Sequence, residues 1–487
     1  MRRWAWLGLV AGCTCASSPK VSEGPDIVLI TVDTLRADRL GFAGHTGATT
    51  PHLDALAARG RVFSQATTPL PRTTPALASA LTGLRPPRHG SVEVGDPIRP
   101  DVATLASVLQ ADGWQTLGLS AMQVAGPDQG LDHGFDRFEV HHDARASDLV
   151  DQALALPHDG RRFLWIHLSD PHFPYLPPGE DDEPCRAVGE QAAAGDLARV
   201  ELFIDLKGRA SELRPSCERL YDGEIAEVDR ALGRLLEAVG DEAWVLFSAD
   251  HGEHLGEEGL FFEHGPTVHQ ANLAVPLVVA GPGIEPGVDS RLAQLVDILP
   301  TALALAGVSP PEHEGLDLLG DTTRGVATAT SGSALQARLS TSLVSGRAKR
   351  WCLNGPQYSR CVGRRGPTVH DRARDPALRI DIARDVPEVA AALAEASTRW
   401  GPEQARERSA RDARYQLVAR PVLEGGYRLS LYDLLSDPTQ STDLAEQHPE
   451  VVERLQQAAA PEWGDLPPAA PRSADELEQL RALGYVE

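Results

Sequence analysis

The run Ile27-Val28-Leu29-Ile30-Thr31-Val32 is rich in β-branched residues and apolar at successive rather than alternate positions. That is the pattern of a strand buried on both faces of a parallel sheet. The run stops at Asp33. Comparable runs at Thr116 to Ala121, Phe163 to Leu168, Trp244 to Ser248 and Val275 to Ala280 are separated by stretches of helical period, among them Val102 to Ala111 and Glu224 to Val239. This alternation predicts an α/β fold with a mostly parallel central sheet flanked by helices. In open sheets of that kind ligands sit beyond the carboxyl ends of the strands. Three of the runs lead into polar clusters there: Asp33, Asp170-Pro171-His172 and Asp250-His251. At 487 residues, 42% of them apolar, the chain has material for a large core and a smaller appended unit.

Both ends read differently from this core. Met1-Arg2-Arg3, the short apolar run Trp4 to Gly12 and then Cys13 make a signal peptide over 1–12, too short for a membrane span of ~20 apolar residues. Leu9-Val10-Ala11-Gly12-Cys13 resembles a bacterial lipobox, which implies an exported lipoprotein held at a membrane or cell surface by a lipid on Cys13. Ordinary cleavage near Ala16 is the alternative. Residues 13–24 form a tether, 25–325 the catalytic core, and 326–468 a smaller α+β subdomain. Within that subdomain 368–396 and 430–458 align at an offset of 62 with ten of 29 positions identical, an internal repeat read as strand, Asp-Pro turn and helix. Residues 469–487 form a strap and a last helix. Away from the signal junction the cysteines are Cys185, Cys217, Cys352 and Cys361, for which the local pairs 185 to 217 and 352 to 361 are the most economical in an exported chain. With 46 Lys and Arg against 69 Asp and Glu, a formal charge of −23 argues against nucleic acid as a partner.

Thr73-Thr74-Pro75 opens an Ala-rich helix, where a hydroxyl meets backbone donors and a dipole suited to a phosphate or sulfate oxyanion. Asp33, Asp250 and His251 offer two carboxylates and an imidazole to a divalent cation, and the Thr73 hydroxyl can take the open position as a nucleophile ionised by that cation.

Ile27 to Gly41, Thr50 to Ala57, Pro75 with Leu81-Thr82-Gly83, His89-Gly90, Asp222 to Asp229, Ser248 to Gly256, Val275-Pro276-Leu277, Val296 to Thr301 and Leu431-Tyr432-Asp433 together resemble the sulfatase family of the alkaline phosphatase superfamily. The resemblance implies metal ligands at Asp33, Asp250 and His251 and a nucleophile at Thr73. Arylsulfatases have there a Cys or Ser that becomes formylglycine, which a Thr cannot. Thr34 stands for a second carboxylate and Leu77 for an Arg. His172 and His264 match positions that contact the transferring group or the leaving group, and Asp170 is a further candidate for a second cation. Arg36 and Asp38 are expected to brace the first loop, and His254 and His269 to be ordinary loop histidines.

The resulting expectation is a metal-dependent hydrolase of sulfate or phosphate esters, working through a covalent Thr73 ester. The absent formylglycine precursor favours phosphodiester or phosphonate ester substrates, whether small molecules, glycans or lipid headgroups. An imidazole ligand favours zinc or manganese over calcium. A phosphoethanolamine-transferase-like enzyme and a catalytically silent binding protein of the same fold are the alternatives.

Overall fold

A computed structural model of the chain describes residues 24–157, 160–179, 184–194, 199–257, 260–332, 406–421 and 426–463, and the backbone of the strands between 337 and 371. Its central sheet has eight strands: β1 (Ile27–Val32), β2 (Gly60–Thr67), β3 (Gln115–Ser120), β4 (Arg137–Val140), β5 (Arg162–Leu168), β6 (Trp244–Ala249), β7 (Leu277–Ala280) and β8 (Gly287–Gln294). They lie in the order β4-β3-β5-β1-β6-β7-β2-β8. β1 runs parallel to β5 on one side and to β6 on the other. Every residue of β1 and β5 is buried, as their unbroken apolar runs require. β7 is antiparallel to both β6 and β2, so the sheet is mostly rather than wholly parallel.

The helices differ from their sequence-based limits for local reasons. The helix expected over Val102 to Ala111 starts at Leu105, because Thr104 and Ser107 exchange side-chain-to-backbone hydrogen bonds of 3.0 and 2.9 Å. The helix expected from Glu224 is the last part of one running Arg199–Val239, with Pro215 inside it. Leu213, Cys217, Leu220, Ile225, Val228, Leu232 and Leu235, spaced by three, four or five residues, are all buried, and this apolar stripe outweighs the proline. A second helix, Cys185–Ala193, lies in the stretch 177–216 that reads as featureless loop. A disulfide from Cys185 to Cys217, with Cα atoms 5.1 Å apart, joins the two.

The last part of the chain builds two antiparallel sheets. β9 (Ala327–Thr330), β15 (Arg408–Arg411), β16 (Tyr415–Pro421) and β17 (Tyr427–Asp433) form one, in the order β17-β16-β15-β9; β10 (Ala337–Leu339), β11 (Ser342–Arg347), β12 (Arg350–Asn354), β13 (Tyr358–Gly363) and β14 (Gly366–Asp371) form the other. The second repeat copy is strand β17, a turn at Asp437-Pro438 and a helix opening on Pro449. The first copy supplies β14, and its residues past 371 lie outside the described residues, as do 1–23 and 469–487. Among the described residues no helix is long and apolar enough to cross a membrane.

β12 and β13 pair with Cys352 directly opposite Cys361, although the side chains lie outside what is described. Non-reducing peptide mapping is therefore expected to recover a Cys185–Cys217 linked pair and a Cys352–Cys361 linked pair. Free thiols at 352 and 361 would reject the second. Replacing Cys185 and Cys217 with serine is expected to lower stability by ~2–4 kcal/mol.

Candidate active site

Thr31 on β1 is in register with His167 on β5 and Ser248 on β6. Side chains alternate along a strand, so Thr31 and Asp33, His167, and Ser248 and Asp250 emerge on one face at the carboxyl ends of three adjacent strands. Asp33, His167 and Asp250 each bring a ligand atom to within 4.8 Å of the others. His251 Nε2 lies 3.3 Å from Asp250 Oδ2, 3.8 Å from Asp33 Oδ1 and 3.5 Å from Thr73 Oγ1. None of Asp33, His167, Asp250 and His251 has any exposed surface.

The electrostatics of this cluster call for a cation. Asp250 Oδ1 accepts the backbone N–H groups of Thr34 and His251 at 3.2 and 2.7 Å. Its Oδ2, both oxygens of Asp33 and the Thr34 hydroxyl make no hydrogen bond among the described residues. His251 Nδ1 is 3.0 Å from the Gly252 carbonyl, which can only accept, so Nδ1 carries the proton and Nε2 turns its lone pair on the carboxylates. Burial, then the charges of Asp250 and Glu253, push the Asp33 carboxyl well above its ordinary range. Burial likewise raises Asp250 and pushes the imidazole of His251 down to about 3. Leaving ions uncompensated in such a place costs several kcal/mol each. A divalent cation between the carboxylates would relieve that cost, and Asp33, His167 and Asp250 bring ligand atoms close enough together to hold one; His251 Nε2 faces the same carboxylates.

Thr73 reaches the cluster from the start of the helix Thr73–Thr82, every residue of which is buried. Arg72, not a threonine, is the N-cap residue, and it makes no side-chain capping bond. The Thr73 hydroxyl favours the ionised forms of both Asp33 and Asp250, which it faces. Thr74 has a structural task, donating to the Val124 carbonyl at 2.8 Å and accepting from the Gly95 N–H at 2.9 Å. Leu77 packs in the apolar core.

His264 stacks on His251 with ring centres 4.5 Å apart, and His172 meets His264 edge-on at 5.3 Å. His264 Nδ1 lies 3.1 Å from Glu253 Oε1, so the carboxylate holds the proton on Nδ1. His172 Nδ1 donates instead to the Phe173 carbonyl at 2.7 Å. Gly265, at φ +97, leaves room for Arg72: a Cβ there would sit 2.1 Å from Arg72 Nε. Asp170 pairs with Arg145 at 3.1 Å and is absent from the Asp33–His167–Asp250 group. Arg36 braces the first loop, bonding both Asp38 and Glu257 at 2.8 Å. His254 bonds the Thr267 hydroxyl at 2.9 Å, and His269 caps the Gln270–Leu273 turn of helix.

Sequence reasoning passed over His167 and Glu253. The signal for His167 is a titratable residue inside an otherwise apolar run, one place before the end of a strand that leads to other candidate residues. Glu253 carries no comparable mark, because its role depends on a contact with a residue eleven positions away.

The sulfatase family model matches residues 25–308. Arylsulfatase A of Bos taurus is 32% identical over 359 residues, covering 64% of this chain and 69% of that enzyme. Choline-sulfatase of Rhizobium meliloti is 26% identical over 356 residues, covering 59% of this chain and 69% of that one. Among solved structures, the phosphonate monoester hydrolase of Agrobacterium radiobacter shares the fold with a TM-score of 0.61 at 20% identity, over 94% of this chain and 96% of that one.

Beside the site, Arg145 also binds Glu224 at 2.8 Å, yet burial outweighs that charge and raises the Glu224 carboxyl to about 7. Between its ordinary value of 4.5 and about 7 the folded protein keeps a proton that the unfolded chain has lost. Its contribution to stability is thus fully present below that window and is lost as pH rises through the folded value. Urea unfolding of wild type and Glu224→Gln from pH 4 to pH 8 should show their stability difference shifting by on the order of 1–3 kcal/mol in Glu224→Gln's favour with rising pH. A difference that stays constant with pH would contradict this reading.

Proposed function

The chain belongs to the sulfatase family, and from that premise we propose that it hydrolyses sulfate or phosphate esters through a covalent Thr73 ester, with phosphodiester or phosphonate ester substrates favoured. The carrying observation is the Thr73 hydroxyl, 3.5 Å from His251 Nε2 and facing the Asp33 and Asp250 carboxylates at a buried helix start. A divalent cation held by Asp33, Asp250 and His251 supplies Lewis acidity that lowers the hydroxyl's pKa and takes charge from a nonbridging oxygen.

Thr73 Oγ1 attacks sulfur or phosphorus in line, and the bond to the leaving oxygen breaks. His264, whose Nδ1–H is held by Glu253, is the better placed of the two histidines to protonate that oxygen from Nε2. His172 borders it and helps to shape the leaving-group side. Water then attacks the Thr73 ester, releasing the acid and restoring the hydroxyl. A formylglycine hydrate expels its sulfate by collapsing to an aldehyde. A threonine ester has no such exit, so resolution depends on attack at the central atom, and this favours phosphorus.

The nitrogen of His251 argues for zinc or manganese over calcium, which takes six to eight hard oxygens. Export and a lipid on Cys13 would set the enzyme at a surface, where small esters, sulfated or phosphorylated glycans and lipid headgroups are all accessible substrates. The charge of −23 argues against nucleic acid as a partner.

Thr73→Ala is expected to abolish turnover while leaving the thermal melt close to wild type, since the position forms no capping bond. Thr74→Ala should lose ~1–3 kcal/mol of stability and keep turnover, because it strands the Gly95 N–H. Both are assayed on aryl sulfate, phosphodiester and phosphonate ester substrates; a dead Thr74→Ala with an active Thr73→Ala would overturn the nucleophile assignment. Chelator-stripped protein should recover hydrolysis with zinc or manganese and not with calcium. Full recovery with calcium alone, or bound metal with no turnover on any of the three esters, would reject the corresponding part of the proposal.

A further inference from the structure

His167 is completely buried, and its Nε2 makes no hydrogen bond among the described residues. A ring nitrogen of His167 and a carboxylate oxygen from each of Asp33 and Asp250 lie within 4.8 Å of one another, and Nε2 is the nitrogen left without a partner. The other ring nitrogen, Nδ1, is 2.9 Å from the Thr31 hydroxyl. The same hydroxyl receives the indole N–H of Trp165 at 3.0 Å and lies 3.5 Å from the Ile166 carbonyl.

These neighbours decide which nitrogen carries the proton. A hydroxyl has one proton and two lone pairs. Trp165 Nε1 can only donate, and it takes one lone pair. The Ile166 carbonyl can only accept, and it takes the proton. With the hydroxyl proton turned to that carbonyl, the second lone pair is left for His167, and in that arrangement Nδ1 donates and Nε2 is bare. The opposite tautomer would put an N–H on Nε2 with no acceptor, a buried donor left unsatisfied, which costs ~1–3 kcal/mol. The arrangement is that of a metal-binding imidazole, where a hydrogen bond at one nitrogen fixes the tautomer and aims the other at the ion.

We infer that His167 is a further ligand of the cation, presented through Nε2 by the Trp165–Thr31 relay, so that the ion is held by two carboxylates and two imidazoles. The inference rests on the reading that this site holds a divalent cation. It extends that reading by adding a ligand from β5 and by making Thr31 and Trp165 positioning residues. Two nitrogens and two oxygens suit zinc, or manganese with added water, and disfavour calcium more strongly than His251 does alone.

The test measures metal affinity on the full chain, independently of turnover. Chelator-stripped wild type, His167→Gln, Thr31→Val and Thr31→Ser are dialysed against buffered zinc, and metal per chain is determined by elemental analysis. Apo-protein thermal melts serve as the folding control. Cobalt(II) loading adds a spectroscopic readout, because loss of a nitrogen donor changes the visible ligand-field bands. Zinc affinity is expected to fall more than 100-fold in His167→Gln, with altered cobalt bands. Thr31→Val should lose 10- to 100-fold, and Thr31→Ser, which keeps the hydroxyl, should return to within a few-fold of wild type. If His167→Gln does not fold, the Val and Ser pair decides. Folded His167→Gln with zinc affinity and cobalt bands like wild type, or Thr31→Val indistinguishable from Thr31→Ser, overturns the inference. Affinities that follow this pattern in a protein hydrolysing none of the esters would reject the proposed function and leave the ligand assignment standing.

Discussion

The site is organised by one electrostatic demand: two carboxylates, Asp33 and Asp250, sit fully buried beside each other at the ends of neighbouring parallel strands. No lysine or arginine forms an ion pair with either among the described residues; the cationic candidates facing them are imidazoles whose burial keeps them neutral. Uncompensated, such a pair takes up a proton rather than stay charged, and the raised carboxyl of Asp33 expresses that preference. A divalent ion between them would let both stay charged. Metal binding and the stability of the strand ends are therefore linked, and an ion that binds only the folded chain adds to its stability.

What surrounds the carboxylates serves to hold them still. Thr34 follows Asp33 with φ 56, an uncommon conformation for a β-branched residue, at a cost on the order of 1–3 kcal/mol. Its N–H donates to Asp250 and its carbonyl accepts the Tyr221 hydroxyl at 2.6 Å, so the strain is held from both sides. The same Tyr221 oxygen accepts the Arg36 N–H at 3.0 Å, and Arg36 reaches across to the Glu253 carbonyl and the Glu257 carboxylate. The long helix, the first strand's loop and the loop after β6 are thereby tied into one frame. Gly252 belongs to that frame because a Cβ there would lie 2.0 Å from the Ala271 carbonyl oxygen. Loop residues carry the chemistry, but their positions are set by these buried bonds.

Most of the frame was legible in the sequence because it is written in short-range pattern. Unbroken apolar runs marked β1, β3, β5 and β6, and the polar residues where they stop marked the face on which Asp33, Asp250 and His251 meet. Features that depend on contacts across the fold were not legible in that way. His167 looked like one more residue of a buried strand, and only its register with Thr31 shows that it shares a face with Asp33. Glu253 becomes meaningful only when the loop folds back to bring His264 against it. Asp170 read as a candidate ligand because it lies next to His172, yet Arg145, 25 positions earlier and on another element, takes its carboxylate. The stretch 177–216 shows no interpretable local pattern, yet it holds the helix Cys185–Ala193, which buries Cys185 and Val188, and the start of the long helix from Arg199.

Besides Thr73, the resemblance marks two further departures, Thr34 and Leu77, and these bear on each other. A threonine in place of a carboxylate removes one negative charge from the cation's surroundings, and a leucine in place of an arginine removes one positive charge from the substrate side. The sum over the pocket is unchanged. Neither position has the look of decay: Thr34 is pinned by two hydrogen bonds in a conformation it would not choose, and Leu77 is fully buried in a close-packed helix. The trade shifts work between partners. On the proposed mechanism, an ion with fewer anionic oxygens around it would keep more of its charge for the incoming ester, and with no arginine at Leu77's position the ester's oxygens would depend more on that ion and on the imidazoles of His172 and His264. On that reading the identity of the cation would govern reactivity, and nitrogen donors beside two carboxylates would select for an ion that polarises strongly at low coordination number.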